Sequence, residues 1–287
     1  MIPQANITAW RARSPWSDDA QVEQDLVLTR ALIQLISEAQ LSEKIGLRGG
    51  TALHKLFIHP ACRYSEDIDL VQTEAGPIGP ILDTIRTNLD PWLGKPTRSR
   101  AEDSVTLVYR FESEIPPVRP LRLKVEINTR EHFTILGFVC RQVAADNPWY
   151  SGKADVTTFE IDELLGTKLR ALYQRRKGRD LFDLWLSISQ GMVDPQRVVT
   201  CFGEYMRREG HSVSRAQFER NLHDKESDPA FLEDIKPLLR TDVDYEAATA
   251  ITQVKTVIIE KLPGAPWRGS AEHLGDDQPS KSRRKPP

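Results

Sequence analysis

The stretch LRGGTALHKLFIHPACRYSEDIDL, residues 47–70, decides how the rest of the chain is read. It turns on the pair Gly49-Gly50, after which Thr51 has the chemistry of a helix N-cap for residues 52–57. Pro60 breaks the helix, and the chain continues as an alternating strand, Ser65-Glu66-Asp67-Ile68-Asp69-Leu70. Residues two apart on a strand share a face, so Asp67 and Asp69 project together while Ile68 and Leu70 point into a core. Two carboxylates side by side repel, and one of them would ordinarily take up a proton. A divalent cation between them removes that cost. Oxygen-only ligation completed by substrate phosphate suits Mg²⁺, with Mn²⁺ as the alternative. Glycines ahead of a helix N-terminus offer N–H groups and close approach to an anion such as a triphosphate.

The bulk numbers narrow the class. With 287 residues the chain has room for two modest domains or one large one. An apolar fraction of 39% and a charged fraction of 28% are ordinary for a soluble globular protein. The net charge of −2 excludes a global polycation, so any nucleic-acid contact has to come from a local basic patch. Cys62, Cys140 and Cys201 are widely spaced, odd in number and without metal-ligand spacing, which fits a reducing cytosol. The histidines show no zinc spacing either. No apolar run is long enough for a membrane span, and the N-terminus lacks a secretory pattern. The expected setting is the cytoplasm.

Taken in order, residues 1–16 read as a polar lead-in whose Trp10 and Trp16 pack on a neighbour. A helix is expected over residues 17–40 and an amphipathic one over 77–93, stopped by Gly94. Residues 104–111 and 121–128 alternate as strands, joined across Pro116-Pro117. In the second, Leu121, Leu123, Val125 and Ile127 share one face and Arg122, Lys124 and Glu126 the other. Short strands are expected at 133–141 and 154–159. Helical pattern then covers 161–172, 180–189, 195–208, 214–225, 229–240 and 244–262. The expected architecture is α/β (α+β): a mixed sheet flanked by helices over residues 1–158, then an all-helical domain over 159–262. Residues 263–287 have the composition of disorder, and the terminal KSRRK reads as a solvated tail.

A second constellation lies at residues 163–185. Lys168 sits on a helix whose apolar face is Leu164, Leu165, Leu169 and Leu172, and Asp180 and Asp183 share a face of the next. The bland reading of the two aspartates is a salt-bridge network with local arginines. Arg175, Arg176, Lys177 and Arg179 form either a solvated turn or a phosphate-backbone patch, and the near-neutral chain favours the patch.

Gly49-Gly50 followed by Arg63-x-Ser65-x-Asp67-Ile68-Asp69 resembles motif I of the DNA polymerase β-type nucleotidyltransferases. Within them it is similar to the AbiEii/AbiGii toxins of bacterial type IV-like toxin–antitoxin pairs. The resemblance implies a polymerase β-like fold and Mg²⁺-assisted transfer of a nucleoside monophosphate from an NTP. It implies that Asp67, Asp69 and Glu126 hold metal, with a solvent-facing glutamate as the alternative for Glu126. Lys168 would touch the triphosphate, and Asp183, with Asp180 second to it, would fix that lysine or contact base or ribose. Gly49, Gly50, Arg63 and Ser65 would bind nucleotide, with Arg48 adding positive charge. Ser65 is also a candidate regulatory position, since a dianion there would repel phosphate. The implied partners are a tRNA 3′ end, with a pyrimidine NTP as donor, and a cognate antitoxin, the protein itself being a monomer. Competing readings are transfer to a small molecule or a protein hydroxyl, and a non-catalytic NTP sensor. Three converging carboxylates argue against the sensor.

Overall fold

Amphipathic helices and alternating strands assemble as two layers on a sheet. The structure, a computed structural model, describes residues 2–269, so the final stretch of the expected tail, with its KSRRK end, lies outside the described residues. The lead-in is more structured than its polarity suggests. It forms α1 (Gln4–Trp10) and buries Ile2, Ile7, Trp10 and Trp16, the Trp10 indole donating to Asp25 Oδ2 at 2.9 Å. Asp18 then caps α2 (Asp19–Ile36), accepting from the Ala20 N–H at 2.9 Å. That helix stops before residue 40, and a single turn, α3 (Ala39–Ser42), follows.

The sheet comprises β1 (Ile45–Arg48), β2 (Asp67–Gln72), β3 (Thr97–Arg100), β4 (Ser104–Glu112), β5 (Pro120–Asn128), β6 (Phe138–Ala145) and β7 (Gly152–Phe159). Its order is β3-β4-β5-β2-β1-β7-β6. β2 runs parallel to β5 and β1 parallel to β7, and the other pairs are antiparallel. α4 (Gly49–Leu56) follows β1 without a loop, and α5 (Gly79–Leu93) joins β2 to β3. β3 is an edge strand of wholly exposed polar residues, whose sequence TRSR carries no alternation to announce it. The strand expected at 133–141 begins later, at Phe138.

The helical half comprises α6 (Ile161–Gln174), α7 (Gly178–Ser189), α8 (Pro195–Arg208), α9 (Arg215–Glu226), α10 (Pro229–Glu233) and α11 (Ala247–Val257). A helix over 229–240 does not form. Pro237 lacks an N–H, α10 gives way to a 3₁₀ turn at Lys236–Leu238, and the chain leaves it extended. There it pairs with the motif I loop: the Tyr64 N–H donates to Leu238 O at 2.8 Å and the Arg240 N–H to Cys62 O at 3.1 Å. Residues 263–269, the described part of the expected tail, run along α9: the Arg215 N–H donates to Pro263 O at 2.8 Å and the Trp267 N–H to Glu219 Oε2 at 2.7 Å.

Two apolar cores result. One joins α1, α2 and α5 to the sheet, the other joins α6, α7, α8, α9 and α11. Membership crosses residue 158 in both directions: Leu53, Ile58 and Cys62 belong to the second core and Leu164 to the first. Among the described residues no helix is long and apolar enough to cross a membrane.

Candidate active site

The site forms where β1 turns into α4. Gly49 takes φ +76°, and a Cβ there would lie 2.3 Å from Asp69 Oδ2, so both conformation and space exclude other residues. At Gly50 a Cβ would meet Arg63 Nη2 at 2.3 Å. The helix begins at Gly49 itself, with Arg48 in the N-cap position, so Thr51 lies inside the helix and is not its cap. Its hydroxyl instead donates to the Asp67 carbonyl and meets Ser65 Oγ at 2.9 Å. β2 starts at Asp67, which leaves Ser65 half-buried in the preceding loop and off the strand.

Register across the sheet then gathers the charges. Arg48 pairs with Asp69, Asp69 with Glu126 and Glu126 with Thr106, while Asp67 pairs with Lys124. The Lys124 ammonium lies 2.8 Å from Glu126 Oε2 and 3.5 Å from Asp67 Oδ2. Burial raises the pKa of Asp67 against the pull of Lys124; burial and the charge of Asp67 raise that of Asp69. Asp67 Oδ1 is buried with no hydrogen-bond partner. Among the described residues no three His, Cys, Asp or Glu side chains close as a ligand set. Glu126, the third expected carboxylate, is held by Lys124. An all-oxygen donor pair, an orphaned carboxylate oxygen and a glycine cradle with room for an anion still fit Mg²⁺ or Mn²⁺.

The second constellation meets this one from beneath. Lys168 reaches Asp183 Oδ2 at 2.8 Å and Asp180 Oδ1 at 3.3 Å. Asp183 is fully buried and forked by Arg63, Nε to Oδ1 at 2.6 Å and Nη2 to Oδ2 at 2.7 Å. His54 Nε2 meets Asp183 Oδ1 at 2.9 Å. Burial alone would raise Asp183; Arg63 and Lys168 outweigh it and hold its carboxyl well below the usual range. Asp180 is fully buried too, and Arg175 forks it at 2.7 and 2.8 Å. Both aspartates are fully buried and ion-paired with Lys168, which favours the lysine-fixing alternative over contact with base or ribose. Arg63 is buried under Gly50 and engaged by Asp183.

The RRKGR cluster divides. Arg175 is on Asp180, Arg176 on Asp228 at 3.0 Å and Lys177 on Asp234 at 3.3 Å, so three of its four cations have carboxylate partners. The Arg179 side chain has no carboxylate partner among the described residues and lines a cleft of about 170 Å³ with Lys124 and Lys168. A second cleft of about 320 Å³ adjoins it, meeting it at Gly50, Asp69, Glu126, Lys168 and Arg175.

Two anchors escaped the sequence reading. Glu131 binds Arg48 and, at 2.6 Å, Arg170, which also reaches Glu209 at 2.8 Å on the far wall of the larger cleft. Buried Glu163 accepts from Thr134 Oγ1 at 2.7 Å, the Leu136 N–H at 2.8 Å and Tyr205 Oη at 2.9 Å, tying residues 134–136 to the helices. No local spacing signals either, because their partners lie far along the chain.

Residues 30–253 match the family described as "Nucleotidyl transferase AbiEii toxin, Type IV TA system". The chain belongs to the AbiEii family. Its fold is similar to that of MenT4, a nucleotidyltransferase toxin from Mycobacterium tuberculosis, with TM-score 0.62, 16% identity, and 92% of this chain and 91% of that one covered. It is also similar to JHP933 from Helicobacter pylori, with TM-score 0.51, 16% identity, and 86% and 94% covered. A putative nucleotidyltransferase from H. pylori matches at TM-score 0.51 and 16% identity over 85% and 97%. At such identities the likeness is one of fold. No curated protein matches the sequence significantly. The AbiEii chain is thus a nucleotidyltransferase of a toxin family.

Proposed function

We propose that this enzyme moves a nucleoside monophosphate from a pyrimidine NTP to the 3′ end of a tRNA, thereby inhibits translation, and is neutralised by a cognate antitoxin. The observation that carries the chemistry is the Asp67–Asp69 pair beside the Gly49-Gly50 turn, with Asp67 Oδ1 buried and unpartnered. Asp67 and Asp69, joined by Glu126, would hold Mg²⁺ or Mn²⁺, which when bound supplies charge neutralisation and a lower pKa for the attacking hydroxyl. Gly49 and Gly50 present the first N–H groups of α4 to the phosphates. Lys168, oriented by Asp180 and Asp183, and Arg179 meet the triphosphate charge. Glu126 accepts the proton of the acceptor hydroxyl; that oxygen bonds to the α-phosphorus as the bond to pyrophosphate breaks. Residues 1–158 supply the carboxylates and residues 159–262 the lysine, so the two halves complete one site. Ser65, its Oγ 2.9 Å from the Thr51 hydroxyl, is the candidate control position: a dianion on it would repel the substrate phosphates.

The tRNA end, the pyrimidine donor and the antitoxin come from the family resemblance. The test incubates the protein with Mg²⁺, each labelled NTP in turn and total tRNA, with Asp67→Ala and Lys168→Ala as controls. Label entering tRNA with the wild type and in neither variant supports the reading and identifies the donor. Label absent from RNA while NTP binding stays metal-dependent overturns the tRNA assignment and moves the search to small-molecule or protein hydroxyls.

A further inference from the structure

The sheet beyond Glu126 carries a surface that lies outside both clefts. On β4 and β5 one alternating set, including Leu107, Tyr109, Val125 and Ile127, is buried in the core with α2 and α5. The other set is half-buried or exposed on the face that carries Glu126. That face runs outward as ladders: Asp69–Glu126–Thr106–Ser99, and beside it Asp67–Lys124–Val108–Thr97. The next rung places Arg122 directly opposite Arg110.

Like charges opposite each other on neighbouring strands destabilise a sheet. These two are weakly compensated. Arg122, its side chain 59% exposed, has Glu66 at 3.8 Å, and Arg110 Nη1 donates to the neutral Thr97 hydroxyl at 2.8 Å. Each two-residue step along a strand is about 6.8 Å, so Arg122 stands about 14 Å from Glu126 along β5.

We infer that the open face of β5, β4 and β3 is the track on which the acceptor nucleic acid lies, with phosphates on Arg110 and Arg122 and the terminal hydroxyl at Glu126. This rests on the RNA-acceptor reading above. Ser99 and Thr106 add hydroxyls suited to phosphate or 2′-OH contacts. A chain of net charge −2 needs a local cationic strip to hold RNA, and the other candidate, the RRKGR turn, is largely engaged by Asp180, Asp228 and Asp234.

The experiment measures binding of fluorescently labelled tRNA across a salt series, beside steady-state transfer kinetics. Wild type is compared with Arg110→Ala/Arg122→Ala and with the double lysine variant. The alanine variant should bind tRNA about tenfold more weakly, and its slope of log K against log salt should shrink by about 1.4–1.8, two phosphate contacts' worth. KM for tRNA should rise while KM for NTP holds, and lysine should restore most of the affinity. Unchanged affinity and slope overturn the inference, as does lost binding of an acidic protein partner with RNA binding intact. Because binding is read without turnover, the two readings separate. A wild type that labels no RNA, with a variant that loses RNA affinity, keeps the track and sinks the acceptor assignment. Labelled RNA with unaltered variant binding does the reverse.

Discussion

On β2, Asp67 and Asp69 both have raised pKa values; on α7, Asp180 and Asp183, more deeply buried, both have lowered ones. Burial pushes all four carboxyls upward, so burial does not distinguish them. The cations do. The α7 pair is held by Arg63, Lys168 and Arg175, with His54 adding a hydrogen bond. The β2 pair has Lys124, which it shares with Glu126, and keeps one oxygen without a partner. A carboxylate pair that builds the fold is neutralised inside the chain. The pair proposed to hold a metal ion is left short of positive charge.

Substitutions break this contrast in graded ways. Asp69→Asn should cost about 10³-fold in transfer, equivalent to about 4 kcal/mol of charge stabilisation. Its urea midpoint should match or exceed wild type, because a repulsion has been removed. Asp183→Asn should do the opposite to the fold. It leaves the buried Arg63 without its partner charge and should lose about 3–5 kcal/mol in a denaturation titration. If it unfolds no more readily than wild type, the division of roles proposed here is wrong. Gly49→Ala should lose about 1–2 kcal/mol from the left-handed backbone alone, and activity as well, since its Cβ displaces Asp69. Arg176→Ala, which removes an exposed pair with Asp228, should change stability by less than about 1 kcal/mol.

Acid titration sharpens the same contrast. For Asp180 and Asp183 the folded pKa lies below the unfolded one, so their ionisation stabilises the fold at neutral pH, and that stability is lost as pH falls below about 3.9. For Asp67 and Asp69 the order is reversed: the fold takes up protons first, and stability rises as pH falls through their raised values toward about 3.9. Asp69→Asn should flatten that rise. His54 adds a separate window. Burial, aided by Arg63, pushes its pKa down to about 4, so the unfolded chain binds a proton that the fold refuses. Stability therefore falls between about pH 6.5 and that value, and His54→Gln should remove this slope from the pH dependence of the urea midpoint.

The sheet half of the site was legible because period-two alternation is a local signal. Ile68 and Leu70 inward, Asp67 and Asp69 outward, and the polar face of Glu126 follow from it, while the resemblance supplied the neighbouring of the two strands. Helical spacing put Asp180 and Asp183 on one face of α7, and the family resemblance tied Lys168 to them. What stayed hidden was pairing across distance: His54 with Asp183 spans 129 residues, Arg48 with Glu131 83, and Arg170 with Glu209 39. The engagement of Arg63 stayed hidden for the same reason, since a motif arginine looks free until the carboxylate that binds it is known. The helix expected over 229–240 failed on Pro237 and on the return of residues 238–240 to the motif I loop.

The ion pair of Arg63 with Asp183 also has a temporal side. The partners are 120 residues apart, and Lys168 arrives with the later one. At roughly 5–20 residues per second, a ribosome delivers the second about 6–24 s after the first. During that interval the emerging polypeptide has its acidic strand and glycine turn but neither the lysine nor the aspartate that places it. The two parts of the site therefore cannot meet until residue 183, about two thirds of the way along the 287-residue sequence, has been made.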